Sequence, residues 1–337
     1  MRILLCEFVT GGGMPAEEPI PASFAREGEL MLRALVDGLL EIPGTAVTVT
    51  RDGRLSPLPP PVRSITVDDP QRAWVLWEEE ARSADAVWPV APETGGALER
   101  LSRLVVNAGS RLLNSRPEAV AVAARKSATA DALIAAGIPA VPAWPVDGLD
   151  DPPGRGPWVV KPDDGAGCLD TGLLRDRSDW LRWRAGADRS GFVVQPFVEG
   201  VPASLSLLCR DGEATVLTVN RLFIKLRGSR FVYRGGVVGG GAATPAMTEL
   251  ARAVAAALPG LFGYVGIDLV DTDRGPRVLE VNPRPTTSMV GLRRATGINV
   301  AAAVLDLIDD RHPLPPTPAR VVPVRIELEE EPCRMTG

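Results

Sequence analysis

The sequence predicts a mixed chain, α/β in its first third and α+β beyond, on three observations. Strands and helices alternate through residues 1–114, which indicates a parallel, doubly wound unit. Further on, alternating stretches at 203–209 and 214–220 flank the turn Asp211-Gly212, and 265–270 and 276–281 flank a second polar turn, which indicates antiparallel hairpins. The length, 337 residues, suits two domains or three lobes.

Each element has a local reason. Residues 1–6 are apolar and form the first strand; their apolar run is too short before Glu7 to read as a signal peptide. Leu30, Leu32, Leu35, Leu39 and Leu40 repeat at helical spacing across 24–40. Residues 46–50 are the second strand, and the proline-rich 51–62 a loop. A helix over 71–84, a strand over 86–90, a helix over 98–104 and a short strand over 111–114 complete the unit. Two helices follow, 117–124 and 127–136, separated near Arg125-Lys126 and closed by Gly137-Ile138-Pro139. Residues 147–157 are a Pro/Gly/Asp-rich linker. Strands are expected at 158–162 and 191–197 and a helix at 248–258. Five glycines within 234–241 suggest a mobile loop. The last dozen residues read as a strand and a frayed tail with acidic Glu329–Glu331.

Composition removes several classes of function. Net charge is −5 and the pI about 5.2, so there is no basic footprint for nucleic acid. No apolar run reaches the ~18–20 residues that span a bilayer, and a cytoplasmic protein is expected. The four cysteines, at 6, 168, 209 and 333, are far apart, so neither a CxxC clip nor a disulfide framework is indicated. His312 is the single histidine, which rules out a multi-histidine zinc site and reads as an ordinary surface residue.

Lysine usage is informative. Of 37 basic residues only Lys126, Lys161 and Lys225 are lysines. A compact ammonium suits the space between phosphate oxygens better than a planar guanidinium does. Lys161 ends a strand and opens into Asp163-Asp164-Gly165-Ala-Gly167, where glycines let backbone N–H groups approach an anion. The loop lacks the Gly-Lys-Ser/Thr of a Walker A motif, and a plain turn is the alternative. Cys168, beside it, reads as an inert small residue. Asp268 lies on one strand, and Glu280 and Asn282, two apart and so on one face, lie on the next. Together they make an all-oxygen cluster suited to Mg²⁺; a solvated strand face would explain a glutamate among Val278, Leu279 and Val281 poorly. Gln195-Pro-Phe-Val198-Glu199-Gly200 reads either as an ordinary bend or as a hinge, with Gln195 on a base edge and Glu199 on ribose hydroxyls.

The order Lys126, Lys161 with its glycine loop, Gln195–Gly200, then Asp268 with Glu280-Val-Asn282-Pro-Arg284, resembles the ATP-grasp superfamily over about residues 1–310. The resemblance implies a Rossmann-like substrate lobe (1–114), a small lobe (115–193) and a large lobe carrying the metal site (194–325), with a tail at 326–337. It implies ATP and two Mg²⁺ as cofactors, Mn²⁺ being an alternative ion. Lys126, Lys161, Gly165 and Gly167 would hold phosphates, and Gln195, Phe197 and Val198 the adenine. Asp268, Glu280 and Asn282 would bind metal, and Arg284 would face the transferred phosphoryl group. Lys225 and the 234–241 loop would close over the reacting centre. Two departures stand out: Val201-Pro202 replaces the usual ribose glutamate, leaving Glu199 as substitute, and Gly266 stands where dipeptide-forming relatives carry an arginine.

The segments Glu7-Phe-Val-Thr10-Gly-Gly12-Gly, Ala91-Pro-Glu93-Thr94-Gly-Gly96, Asn114-Ser115 and Glu280 to Ser288 are similar to the tyramine–glutamate ligase group of methanofuran biosynthesis. Ligands of an open α/β sheet bind beyond the carboxyl ends of its strands, and Thr10, Gly12, Glu93, Thr94 and Arg234 are the substrate candidates. The implied activity is a carboxylate–amine ligase acting through an acyl phosphate on a small acid and a small amine, such as glutamate and tyramine. A dipeptide ligase and a non-catalytic ATP-binding protein are the alternatives. A homodimer is an open expectation; nucleic-acid and membrane partners are not expected.

Overall fold

The computed structural model describes residues 1–15, 18–165, 167–186, 188–309 and 313–328; His312, Cys333 and the acidic tail lie outside these. The first unit runs β1 (Arg2–Glu7), α1 (Ala22–Leu40), β2 (Ala46–Asp52), β3 (Arg63–Val67), α2 (Pro70–Ser83), β4 (Ala86–Val90), α3 (Ala97–Asn107) and β5 (Arg111–Leu112). Its five strands pair in parallel in the order β3-β2-β1-β4-β5. Side chains of β1 alternate between two cores: Ile3 and Leu5 pack with α1, Leu4 and Cys6 with α2 and α3. A strand buried on both faces reads as a continuous apolar run, which is why residues 2–6 look as they do. β3 follows the proline-rich loop and is not expected from the sequence: Arg63-Ser-Ile-Thr-Val lacks a strong apolar pattern and is recruited by pairing with β2.

The chain continues through α4 (Pro117–Ala123), α5 (Lys126–Ala135), β6 (Trp144–Pro145), β7 (Trp158–Pro162), β8 (Gly172–Leu174), α6 (Arg177–Arg184) and β9 (Phe192–Pro196). Then come β10 (Val201–Arg210), β11 (Glu213–Arg227), β12 (Arg230–Gly241), α7 (Pro245–Ala257), β13 (Gly263–Thr272), β14 (Gly275–Asn282), α8 (Leu292–Thr296), α9 (Val300–Ile308) and β15 (Val324–Glu327). β6 to β14 share one sheet, in the order β14-β13-β10-β11-β12-β8-β7-β9-β6, with β15 on β12. The halves of that sheet meet at one residue pair, Arg230 opposite Gly172. Trp158, Val160, Leu174 and Trp180 form the core of the smaller half.

One expectation changes here. Residues 234–241 are strand, not a mobile loop. Their glycines answer to crowding: a Cβ on Gly235, whose φ is +96°, would lie 2.1 Å from the Ile326 carbonyl oxygen, and one on Gly236 would lie 2.3 Å from that of Arg221. In addition, α4 and α5 pack Ala119, Ala123 and Leu133 into the core of β10, β13 and β14, while Ala130 of α5 packs with Ala143 and with Val193 of β9.

Candidate nucleotide and metal site

The site forms where the two halves of the long sheet face each other. On β7, Trp158 and Val160 turn into the small core, so Val159 and Lys161 face the opposite way, onto a cavity of about 340 Å³. Across it, β13 and β14 set Asp268 opposite Glu280. The register shifts by one residue next to this pair, a β-bulge that turns both Leu279 and Glu280 toward the cavity. Lys126, the first residue of α5, arrives from a third direction. Its ammonium donates to the carbonyls of Gly165 (2.5 Å) and Asp163 (3.3 Å) and lies 3.4 Å from Glu280 Oε2. Lys161 Nζ lies 4.0 Å from the same oxygen. The Asp163 carboxylate accepts from the Ser127 amide and hydroxyl, which ties the glycine loop to the start of α5.

One end of the cavity is thus charged, and Gly165, Gly167 and Cys168 line it too. The other end is apolar, with Leu222, Ile224 and Leu226 from β11 and Phe231 from β12. Phe231 stacks on Phe197 at 6.5 Å between ring centres, and Val198 lies on the same wall. Gln195 is buried there and donates through Nε2 to the Val141 carbonyl. Glu199 is exposed and does not line the cavity. Neither does Lys225: it is exposed and lies between Ile224 and Leu226, on the other face of β11. The apolar alternation 222-224-226 was the signal for that wall, and the lysine drew attention away from it.

Electrostatics separate the two acids. Burial opposes the Glu280 charge, but Lys126 and Lys161 overcome it and bring its pKa down to about 2. Burial, and then the Glu280 charge, push Asp268 well above the ordinary aspartate value. Burial also lowers Lys161, against the pull of Glu280. Burial raises the Cys168 thiol to about 12, with Glu280 and Asp268 adding to it, so it is no nucleophile. Two abutting carboxylates, one unable to ionise easily, form a donor set that fits a hard divalent cation. Among the described residues no group of three or more His, Cys, Asp or Glu is placed to hold a metal alone. Mg²⁺ held by one or two carboxylates and shared with a phosphate needs no such group. Asn282 lies two residues past Glu280, opposite Gly266, and is not on the cavity wall.

The remaining candidates sit at the carboxyl edge of the parallel sheet. Arg284 does not point freely at the cavity; its guanidinium donates twice to Glu93, at 2.9 and 2.8 Å. Thr94 Oγ1 donates to the Asp164 carbonyl and the Gly95 amide to the Asp164 carboxylate, both at 3.0 Å, so the first unit touches the glycine loop. Thr10 is fully buried and bonds Glu7 through its amide and hydroxyl. Gly12 turns the chain with φ +97°, where a Cβ would strike Val67. Arg234 is half-buried on β12, away from the cavity wall, and its carbonyl accepts from Leu328. The sequence reading missed Glu27, Tyr233 and Thr287. Glu27 accepts a 2.8 Å hydrogen bond from Thr287 Oγ1, and charges on Glu27 and Asp268 both act on half-buried Tyr233.

Fold and cavity define a two-jawed α+β clamp set behind a doubly wound unit. Comparison with known families specifies it: residues 123–288 match the ATP-grasp domain and residues 45–120 the pre ATP-grasp 3 domain. The chain belongs to the ATP-grasp superfamily. A protein of Archaeoglobus fulgidus assigned to that superfamily superposes with TM-score 0.70 at 26% identity, over 96% of this chain and 91% of that one. A tyramine–L-glutamate ligase of Methanocaldococcus jannaschii is 33% identical over 102 residues, 30% of this chain and 32% of the relative. A protein named "Probable alpha-L-glutamate ligase" from Xanthomonas oryzae pv. oryzae is 30% identical over 163 residues, 46% of this chain and 52% of the relative. The matched region thus spans about a third to a half of these curated relatives.

Proposed function

We propose that the protein is an ATP- and Mg²⁺-dependent carboxylate–amine ligase that joins glutamate to tyramine or a similar small amine. The observation that carries this reading is the meeting of Lys126 and Lys161 on Glu280, opposite Asp268, at the charged end of a cavity whose other end is apolar. That polarity matches a nucleotide: a flat base against Phe197, Phe231 and Leu222, and phosphates against two ammonium groups and the backbone of Gly165 and Gly167. Asp268 and Glu280, with Asn282 nearby, would hold Mg²⁺, which when bound neutralises phosphate charge.

The chemistry follows from what the chain lacks as much as from what it holds. Carboxylates resist amines because oxide is a poor leaving group. Moving the γ-phosphoryl group of ATP onto the carboxylate gives an acyl phosphate; the amine attacks its carbon, the C–N bond forms, and phosphate leaves. Such transfer depends on positioning and charge more than on covalent help. Lys126 and Lys161 supply the charge and the bulged β14 the positioning. The unreactive Cys168 thiol is consistent with a mechanism without a protein nucleophile. Glutamate is common to the names of both sets of curated relatives, which supports it as the shared substrate. The amine is what distinguishes the tyramine reading from glutamate-to-amino-acid ligation.

Purified protein with ATP, Mg²⁺, glutamate and tyramine is expected to release phosphate in step with an amide seen by mass spectrometry. Replacing tyramine by amino acids separates the two acceptors. Glu280→Gln is expected to reduce turnover by at least about a thousandfold with an unchanged circular dichroism spectrum. Phosphate release indifferent to acid and amine would refute the ligase reading.

A further inference from the structure

The hairpin of β11 and β12 has two faces, and the nucleotide cavity uses one. Leu222, Ile224 and Leu226 line the cavity, so alternation puts Arg221, Phe223, Lys225 and Arg227 on the other side. Residues directly opposite each other in a sheet share a face. Val232 stands opposite Lys225, Arg230 opposite Arg227, and Val237 opposite both Arg221 and, on β15, Arg325. The Arg325 guanidinium lies 5.0 Å over the Phe223 ring, which sets β15 in the same surface. Nearer the middle of the sheet this face is covered, where Ala203 and Val219 pack with α7. Beyond α7 it is open: Arg221, Lys225, Arg227, Arg230 and Arg325 are all exposed.

The open part is nearly of one sign. Its one acid is Glu327, which accepts from Arg325 Nε at 2.6 Å. Among the described residues Arg221, Lys225 and Arg230 enter no ion pair. Like charges directly opposite one another weaken a sheet, and Arg227 and Arg230 stand so. Neighbouring strands lie about 4.8 Å apart and alternate residues about 6.8 Å, so adjacent cations fall within a screening length of about 8–10 Å. A merely solvated surface interleaves both signs; this one does not. Five cations and one acid give the face +4, which leaves −9 on the remainder of a chain whose net charge is −5.

We infer that the outer face of β11, β12 and β15 docks an acidic polypeptide segment, a short stretch rich in aspartate or glutamate carried by a partner protein. The size of the face selects this partner among polyanions. A nucleic acid or an anionic bilayer extends past a patch of roughly 15 by 20 Å and meets the negative remainder of the chain. A short acidic segment engages the cations alone. Phe223, Val232 and Val237, set between the cations, offer it apolar contact as well.

The test uses the full chain and a fluorescent poly-L-glutamate of about 20 residues, with anisotropy read at about 50 and 200 mM NaCl. Lys225 supplies a label inside the face. Of the chain's three lysines Lys126 and Lys161 are buried, so amine acetylation followed by peptide mass spectrometry reports Lys225 above the other two. The wild-type protein is expected to bind the peptide and to lose about tenfold in affinity between the two salt concentrations. Lys225 is expected to react several-fold more slowly when the peptide is present. The double variant Lys225→Glu, Arg230→Glu is expected to lose about tenfold or more. A matched double reversal on α2, Arg72→Glu with Arg82→Glu, is expected to bind as wild type. Protection of Lys225 is measured on the wild-type protein, so it decides the matter even if a variant fails to fold. No binding by wild type, binding that the Lys225/Arg230 reversal leaves intact, or an unprotected Lys225 overturns the proposal. Tighter binding of a single-stranded RNA of similar length, or of phosphatidylserine vesicles, at equal salt overturns it too and assigns the face to another polyanion. A dimer seen by sedimentation and dissolved by the same reversal overturns it in favour of a second copy of the chain.

Discussion

Asp268 and Glu280 are chemically alike and face each other across one pair of strands, yet their surroundings drive them apart. Glu280 has the lysines, so its charge adds stability that is full above the ordinary glutamate value of about 4.3 and is lost as pH falls toward about 2. Asp268 has the opposite sign: its raised pKa means that stability is lost as pH rises above the ordinary aspartate value through its own. Asp268→Asn removes that loss. Without nucleotide or metal, the variant is expected to melt about 2–4 °C above wild type at pH 8 and to show no advantage at pH 4. Turnover is expected to vanish. A melting temperature below wild type at pH 8 would show that Asp268 is a stabilising group and not one held ready for a cation. The residues of this pair were legible in the sequence, because a glutamate inside Val278-Leu-Glu-Val-Asn282 conflicts with a buried strand. Glu27 was not, because on an amphipathic helix with Arg26 and Glu29 it looks like any surface acid.

At the level of elements, β12 shows how glycine can mean crowding in place of mobility. It runs between β11 and β15, with irregular register against β11, and its Gly235 and Gly236 approach the carbonyls of both neighbours. Gly235→Ala adds a methyl within 2.1 Å of a backbone oxygen and forces a left-handed φ on alanine. A loss of about 2–4 kcal/mol is expected, read as a lower urea midpoint at constant slope; no change would mean that β15 moves aside without cost. The same strand explains what the sequence conceals. Helices with strong apolar periodicity, such as α1 and α7, are readable because their burial is a property of their own spacing. β3, β8 and β12 owe their form to a partner's free edge, and pairing across distant segments leaves little local trace. Lys225 fails for a related reason: which face a residue takes depends on register, and a bulged hairpin resets it.

Across the whole molecule, function depends on three parts meeting, and two of the contacts that join the first unit to the rest of the site differ in strength. Glu93–Arg284 fastens it to the segment after β14, through a bidentate pair with both side chains largely buried. Thr94 and Gly95 fasten it to the glycine loop through Asp164, in two exposed hydrogen bonds. The first is strong because a buried, forked pair resists water; the second is worth about 0.5–1.5 kcal/mol per bond. The weaker contact is therefore the one that can open while the stronger holds, and it sits on the glycine loop that the proposed ligase function sets against the phosphates. An acyl phosphate survives only where water is kept out, so loosening this contact should spoil fidelity before it spoils speed. Asp164→Ala is expected to keep phosphate release within about threefold of wild type while raising the phosphate formed per amide several-fold, measured as the ratio of the two products at saturating substrates. Because the substitution removes the Gly95 bond and keeps the Thr94 bond to the backbone carbonyl, a ratio that stays at one would mean that the glycine loop seals the site without the Gly95 contact.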